Sequence, residues 1–130
     1  MNASNHPHKH RRGLARLRYA FVYSLQGLLA GVRTSPAFRL ELALAGFGFV
    51  LAFLLGRNWL EVVFLLAVLV LVLIVEMLNC GIEAAIDRVG FEIHPLSKLA
   101  KDYGSAAVFL SLVLCAGVWL NLLCVRLVAY

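Results

Sequence analysis

Three long apolar stretches and one shorter amphipathic one organise this chain. Leu14, Leu17, Phe21, Leu25, Leu28, Leu29 and Val32 project onto one stripe about 120° wide at 100° per residue. Arg12, Arg16, Tyr19, Tyr23 and Gln26 project to the other side. A helix divided in this way lies in a membrane surface, its apolar face at the acyl boundary, and does not cross. Gly27 and Gly31, four apart, permit close helix contact. Arg33-Thr34-Ser35-Pro36 then breaks the pattern, with Ser35 suited to an N-cap and Pro36 to the first turn of a new helix. Apolar spans are expected over residues 37–56, 60–89 and 100–126. The polar link Arg57-Asn58-Trp59 turns the chain after the first, and Gly90 to Ser97 reads as a loop in which Pro95 prevents helix continuation.

Composition places the chain outside the soluble class. Of its 130 residues 62% are apolar and 15% charged, whereas soluble domains average about 45–50% and 25%. Three spans of about 20 residues use most of the length, so chemistry is expected from the spans, their junctions and the N-terminal arm. The expected fold is an all-α membrane protein: a basic disordered lead over 1–13, then a single domain over 14–130 with a surface helix (14–33) and three transmembrane helices.

Charge fixes an orientation. Seven of the 12 Lys and Arg residues lie within residues 1–40, which hold no Asp or Glu. Arg33, Arg39, Arg88, Lys98 and Lys101 flank one side of the spans, against Arg57 and Arg126 on the other. The positive-inside rule then gives a cytoplasmic N-terminus and an 88–102 loop on the same side. The basic arm suits anionic headgroups; no recognition module accompanies it, so nucleic acid is not an expected partner. Nor does an apolar core with a cleavage site follow the charges, as a signal peptide requires. His6, His8 and His10 alternate in the polar lead and read as solvated. Cys80, Cys115 and Cys124 sit in apolar runs without metal-binding spacing and read as packing residues.

The second span carries the chemistry. Glu76, Asn79, Glu83 and Asp87 share a face about 80° wide on an otherwise apolar helix. A charged side chain deep in a bilayer costs about 2.5–3.5 kcal/mol on insertion scales, so such residues are structural ladders or functional sites. Glu76 and Glu83 lie two turns apart, about 10 Å along the axis, too far to grip one ion from one helix. Glu83, nearer the cytoplasmic end, suits a share in the oxygen shell of Mg²⁺, which commonly bridges substrate phosphates. Glu76 lies deeper, where a carboxylate withdrawn from water is a better acceptor for the proton of a lipid hydroxyl. Lys101-Asp102 stands at the mouth of the third span, followed by the small residues Gly104-Ser105-Ala106-Ala107. Lysine neutralises phosphates as a point charge or snorkels, and Asp102 can accept from an adenine amino group, a ribose hydroxyl or a basic side chain.

These residues, Glu76-Met-Leu-Asn79-Cys-Gly-Ile-Glu83-Ala-Ala-Ile-Asp87-Arg88 and His94-Pro-Leu-Ser-Lys-Leu-Ala-Lys101-Asp102-Tyr-Gly104-Ser105, resemble the prokaryotic diacylglycerol kinase family, which includes undecaprenol kinases. YAFVYSLQG (residues 19–27) and Phe38-Arg39-Leu-Glu41 extend the resemblance. It implies a homotrimer with active sites shared between subunits, transferring the ATP γ-phosphoryl group to the primary hydroxyl of a membrane lipid. By this resemblance Glu76 is the general base and Glu83 a magnesium ligand that also meets the nucleotide. Arg16, Tyr23, Glu92, His94, Lys101 and Asp102 match nucleotide-binding positions; Ala37, Phe38, Arg39, Glu41, Glu76 and Ser105 match lipid-contacting ones. Neither GxxxxGK[ST] nor GxGxxG occurs, so side chains must hold the phosphates.

One position departs from the family. Ser35 stands where a second metal-ligating carboxylate is usual. Either Mg²⁺ is held by Glu83, phosphates and water, or Glu41 helps, or activity is lost. The expectation is an inner-membrane lipid kinase using ATP and Mg²⁺, with diacylglycerol favoured over undecaprenol. Its rivals are an inactive lipid- or nucleotide-binding scaffold and an acid relay conducting protons or cations. The relay is disfavoured by the uncharged first half of the second span, Val62 to Val75.

Overall fold

A computed structural model describes residues 14–90 and 94–128; the basic lead expected to be disordered, and Glu92, lie outside the described residues. The described residues form four helices in order: α1 (Leu14–Thr34), α2 (Pro36–Leu55), α3 (Trp59–Val89) and α4 (Pro95–Val128). The last three are each long and apolar enough to cross a membrane.

Capping chemistry sets where each helix stops and starts. Ser35 is extended, and its backbone N–H donates to Gly31 O at 2.9 Å, closing α1. Its Oγ accepts from Phe38 N at 3.0 Å, opening α2, with Pro36 in the first turn. At the next corner Asn58 Oδ1 accepts from Glu61 N at 3.0 Å while Glu61 Oε2 accepts from Arg57 N at 2.9 Å, a reciprocal cap on α3. His94 Nδ1 accepts from Leu96 N at 3.2 Å and opens α4. Here the structure corrects the sequence reading, because Pro95 begins α4 instead of holding its start back to residue 100. Proline's fixed φ suits a first helical turn, where its missing N–H has no intrahelical partner to lose.

Helices α2 and α4 both pack on α3. The inward line of α3 runs Val62, Leu65, Val68, Val72, Glu76, Asn79, at spacings of three and four. Phe38, Gly48 and Ala52 of α2, Gly104 and Ser111 of α4 and Gly31 of α1 are also buried. The end of α1 reaches α2 and α3 through Gly31, where an added Cβ would lie 2.8 Å from Met77 Sδ and 3.1 Å from Phe38. Gly27 has no such neighbour. The apolar stripe of α1, with Leu17 and Phe21 about two-thirds exposed, is left uncovered by the other helices.

Candidate functional site

The helix break at Ser35 and the polar half of α3 face each other across an open cleft of about 510 Å³, walled on the far side by α4. Ser35 and Ala37 come from the break, Glu76, Asn79, Cys80, Glu83 and Asp87 from α3, and Ser105 and Val108 from α4. Seven residues singled out in the sequence, Ser35, Ala37, Glu76, Asn79, Glu83, Asp87 and Ser105, therefore line one space.

Glu76 is its most enclosed acid, 4% exposed. Its Oε1 accepts from Ser35 Oγ at 3.1 Å and from Cys80 Sγ at 3.6 Å. One turn toward the C-terminal end of α3, Asn79 (8% exposed) donates through Nδ2 to Glu83 Oε1 at 3.3 Å. Asn79 Oδ1 is buried without a hydrogen-bond partner among the described residues and lies against Gly104, where any Cβ would collide with it. The glycine thus lets α4 approach closely enough to seat the amide.

Charges cluster where the C-terminal end of α3 meets the N-terminal end of α4. Lys101 of α4 donates to Asp87 of α3 at 2.6 Å, and Lys98 pairs with Asp102 within α4. All four are substantially exposed, so these pairs contribute little to stability and are easily exchanged for a charged ligand.

Several expected residues stand outside the cleft lining. Phe38 is buried in the α1–α2–α3 contact. Arg39 caps α1 by donating to Val32 O at 3.2 Å and Arg33 O at 3.5 Å. Glu41 is half-buried on α2, its Oε2 without a partner among the described residues. Arg16 and Tyr23 are exposed on α1, Tyr23 stacking obliquely near Tyr19 at 6.4 Å, and His94 is the α4 cap. Cys80, read from the sequence as a packing residue, instead lines the cleft and bonds Glu76. Its place four residues after Glu76, on the polar face, was the available signal.

Among the described residues no three His, Cys, Asp or Glu side chains group as a metal cage. Magnesium commonly takes one or two carboxylates and completes its octahedron with substrate phosphates and water. The exposed Glu83 carboxylate, on the cleft and steadied by Asn79, fits that mode.

A family model, "Prokaryotic diacylglycerol kinase", matches residues 22–123, most of the chain. A diacylglycerol kinase of Pseudomonas aeruginosa is 46% identical over 117 residues, covering 90% of this chain and 95% of that protein. Those of Haemophilus influenzae and Escherichia coli K12 are 41% and 40% identical, over 82% and 85% of this chain and 91% of each relative. The chain belongs to the prokaryotic diacylglycerol kinase family, small integral membrane phosphotransferases.

Proposed function

We propose that this protein is an ATP-dependent diacylglycerol kinase, one domain over residues 14–130, multi-pass in the bacterial inner membrane with its N-terminus cytoplasmic. The observation that carries the reading is a carboxylate, Glu76, buried on a helix long and apolar enough to cross a membrane, on the wall of an open cleft whose acids continue toward a cationic rim. In the reaction the lipid's primary hydroxyl oxygen forms a bond to the γ-phosphorus as the bond to the β–γ bridging oxygen breaks. ADP leaves, and the hydroxyl proton passes to Glu76.

The other residues hold the reactants. Ala37 and Ser105 at the cleft, with Phe38, Arg39 and Glu41 on the adjoining α2, orient the diacylglycerol so that its glycerol end reaches Glu76. Lys101 supplies positive charge to the phosphates once released from Asp87, and Asp102, His94, Glu92, Tyr23 and Arg16 hold the rest of the nucleotide. Glu83 would hold Mg²⁺, whose charge would neutralise that on the transferred group. Arg16 and Tyr23 are remote from the cleft lining, which is consistent with a homotrimer whose sites combine neighbouring subunits.

The test is phosphate transfer from ATP by purified protein in mixed micelles, with diacylglycerol and with a polyprenol as separate acceptors. Phosphatidic acid formation that disappears in Glu76→Gln supports the reading. Preference for the polyprenol overturns the choice of lipid, and no transfer to either overturns the activity.

A further inference from the structure

The Ser35 hydroxyl has one proton and two lone pairs. One lone pair accepts from Phe38 N at 3.0 Å, and the proton goes to Glu76 Oε1 at 3.1 Å. That oxygen also receives the Cys80 thiol, so both donors fall on Oε1 and none among the described residues falls on Oε2. A carboxylate bonded twice through one oxygen cannot rotate without breaking both bonds. Its second oxygen is then the one presented to a reacting hydroxyl.

We infer that Ser35, with weaker help from Cys80, is a positioning residue for Glu76: it anchors Oε1 to the break between α1 and α2 and leaves Oε2 for the substrate proton. The inference rests on the kinase reading and on Glu76 as its base. It gives Ser35 a task different from that of the carboxylate it replaces. A hydroxyl already capping α2 and donating to an acid has a single neutral lone pair left, a poor ligand for a hard cation. The break is well suited to the task, since Ser35 is itself held by the Gly31 O and Phe38 N bonds on either side.

The experiment is steady-state diacylglycerol phosphorylation by Ser35→Ala, Ser35→Gly, Ser35→Thr and Cys80→Ala, with kcat, KM for ATP and half-saturating Mg²⁺ measured for each. Ser35→Gly is well accepted at an N-cap, so the start of α2 and the fold persist, but it has no proton to give. Ser35→Ala and Ser35→Gly are expected to lower kcat about tenfold or more, the loss of one hydrogen bond to a charged group. Half-saturating Mg²⁺ and KM for ATP should move less than about twofold, and Ser35→Thr should restore kcat. Cys80→Ala, losing a weak donor, should lower kcat about threefold. Wild-type kcat in Ser35→Ala or Ser35→Gly overturns the inference. So does a raised Mg²⁺ requirement at unchanged kcat, which would make the hydroxyl a metal ligand. A wild-type protein that phosphorylates no lipid at all defeats the kinase reading instead.

Discussion

The inward line of α3 has two halves. Val62, Leu65, Val68 and Val72 form the first, and Glu76 and Asn79 continue it at the same helical spacing and the same depth of burial. What differs is how each half is held. Lipid chains are as apolar as leucine, so the first half gains little by leaving them and is held by close van der Waals contact. The second half loses by being placed there at all, since each buried polar group left bare costs about 1–3 kcal/mol. Its partners must come from the protein, and they come from specific places, Ser35 at a helix break and Cys80 and Glu83 one turn along, while Asn79 Oδ1, beside Gly104, has none among the described residues. On the kinase reading proposed above, this constrained arrangement serves a carboxylate that accepts a proton, because packing alone is achieved more simply a few turns away.

Removing the charge from the polar half should have the largest effect. Glu76→Gln keeps size and polarity but removes the proton acceptor, and general base catalysis contributes roughly 10²–10⁴-fold. Lipid phosphorylation is expected to fall by about that factor while nucleotide binding, measured separately, persists. Near-normal turnover would remove Glu76 from the chemistry and erase the contrast between the halves.

Next is the same small substitution made in each half. Gly104→Ala drives a methyl into Asn79, whose amide steadies Glu83, while Gly48→Ala meets the end of the flexible Leu69 side chain at 2.8 Å. Overpacking costs about 1–3 kcal/mol where nothing can yield. Gly104→Ala should therefore reduce kcat by about tenfold, and Gly48→Ala should stay within about twofold of the parent. Equal losses would mean that tight packing, not polar chemistry, limits activity in both places.

At the rim, Lys101→Met removes one point charge and frees Asp87. The KM for ATP should rise by several-fold, about the worth of one partly exposed charge, and the KM for diacylglycerol should change less. Equal rises in both would point to a disturbed α3–α4 contact instead.

The contrast itself was legible in the sequence. Periodicity of 100° puts Glu76, Asn79, Glu83 and Asp87 on one face, and Ser35-Pro36 marks the break, because both are local properties of a helix. The bonds that make the face a site were not. Ser35 and Glu76 are 41 residues apart and meet through the packing of α2 on α3. Cys80 shares the polar face, but its thiol acquires a role only when Glu76 is turned toward it. Pro95 was misread for another reason: proline stops a helix from behind and starts one from the front, and sequence alone showed the first use.

The smallest effect on turnover is expected from the apolar half. Leu65 is 1% exposed between helices, so Leu65→Ala leaves a cavity that lipid chains cannot reach. In a soluble core such a change costs about 2–5 kcal/mol, part of it transfer from water. Here the separated helices would rest in lipid, so the loss is mainly of packing contacts and falls at the low end, about 2 kcal/mol. Leu65 lies 11 residues before Glu76 on α3, about 16 Å along the axis, and shares no hydrogen bond with the cleft. The midpoint of thermal inactivation in detergent should fall, while kcat per folded molecule stays within about twofold of the parent. A variant that keeps its midpoint but loses kcat would show that the apolar half transmits its packing to Glu76, and that the two halves work as one.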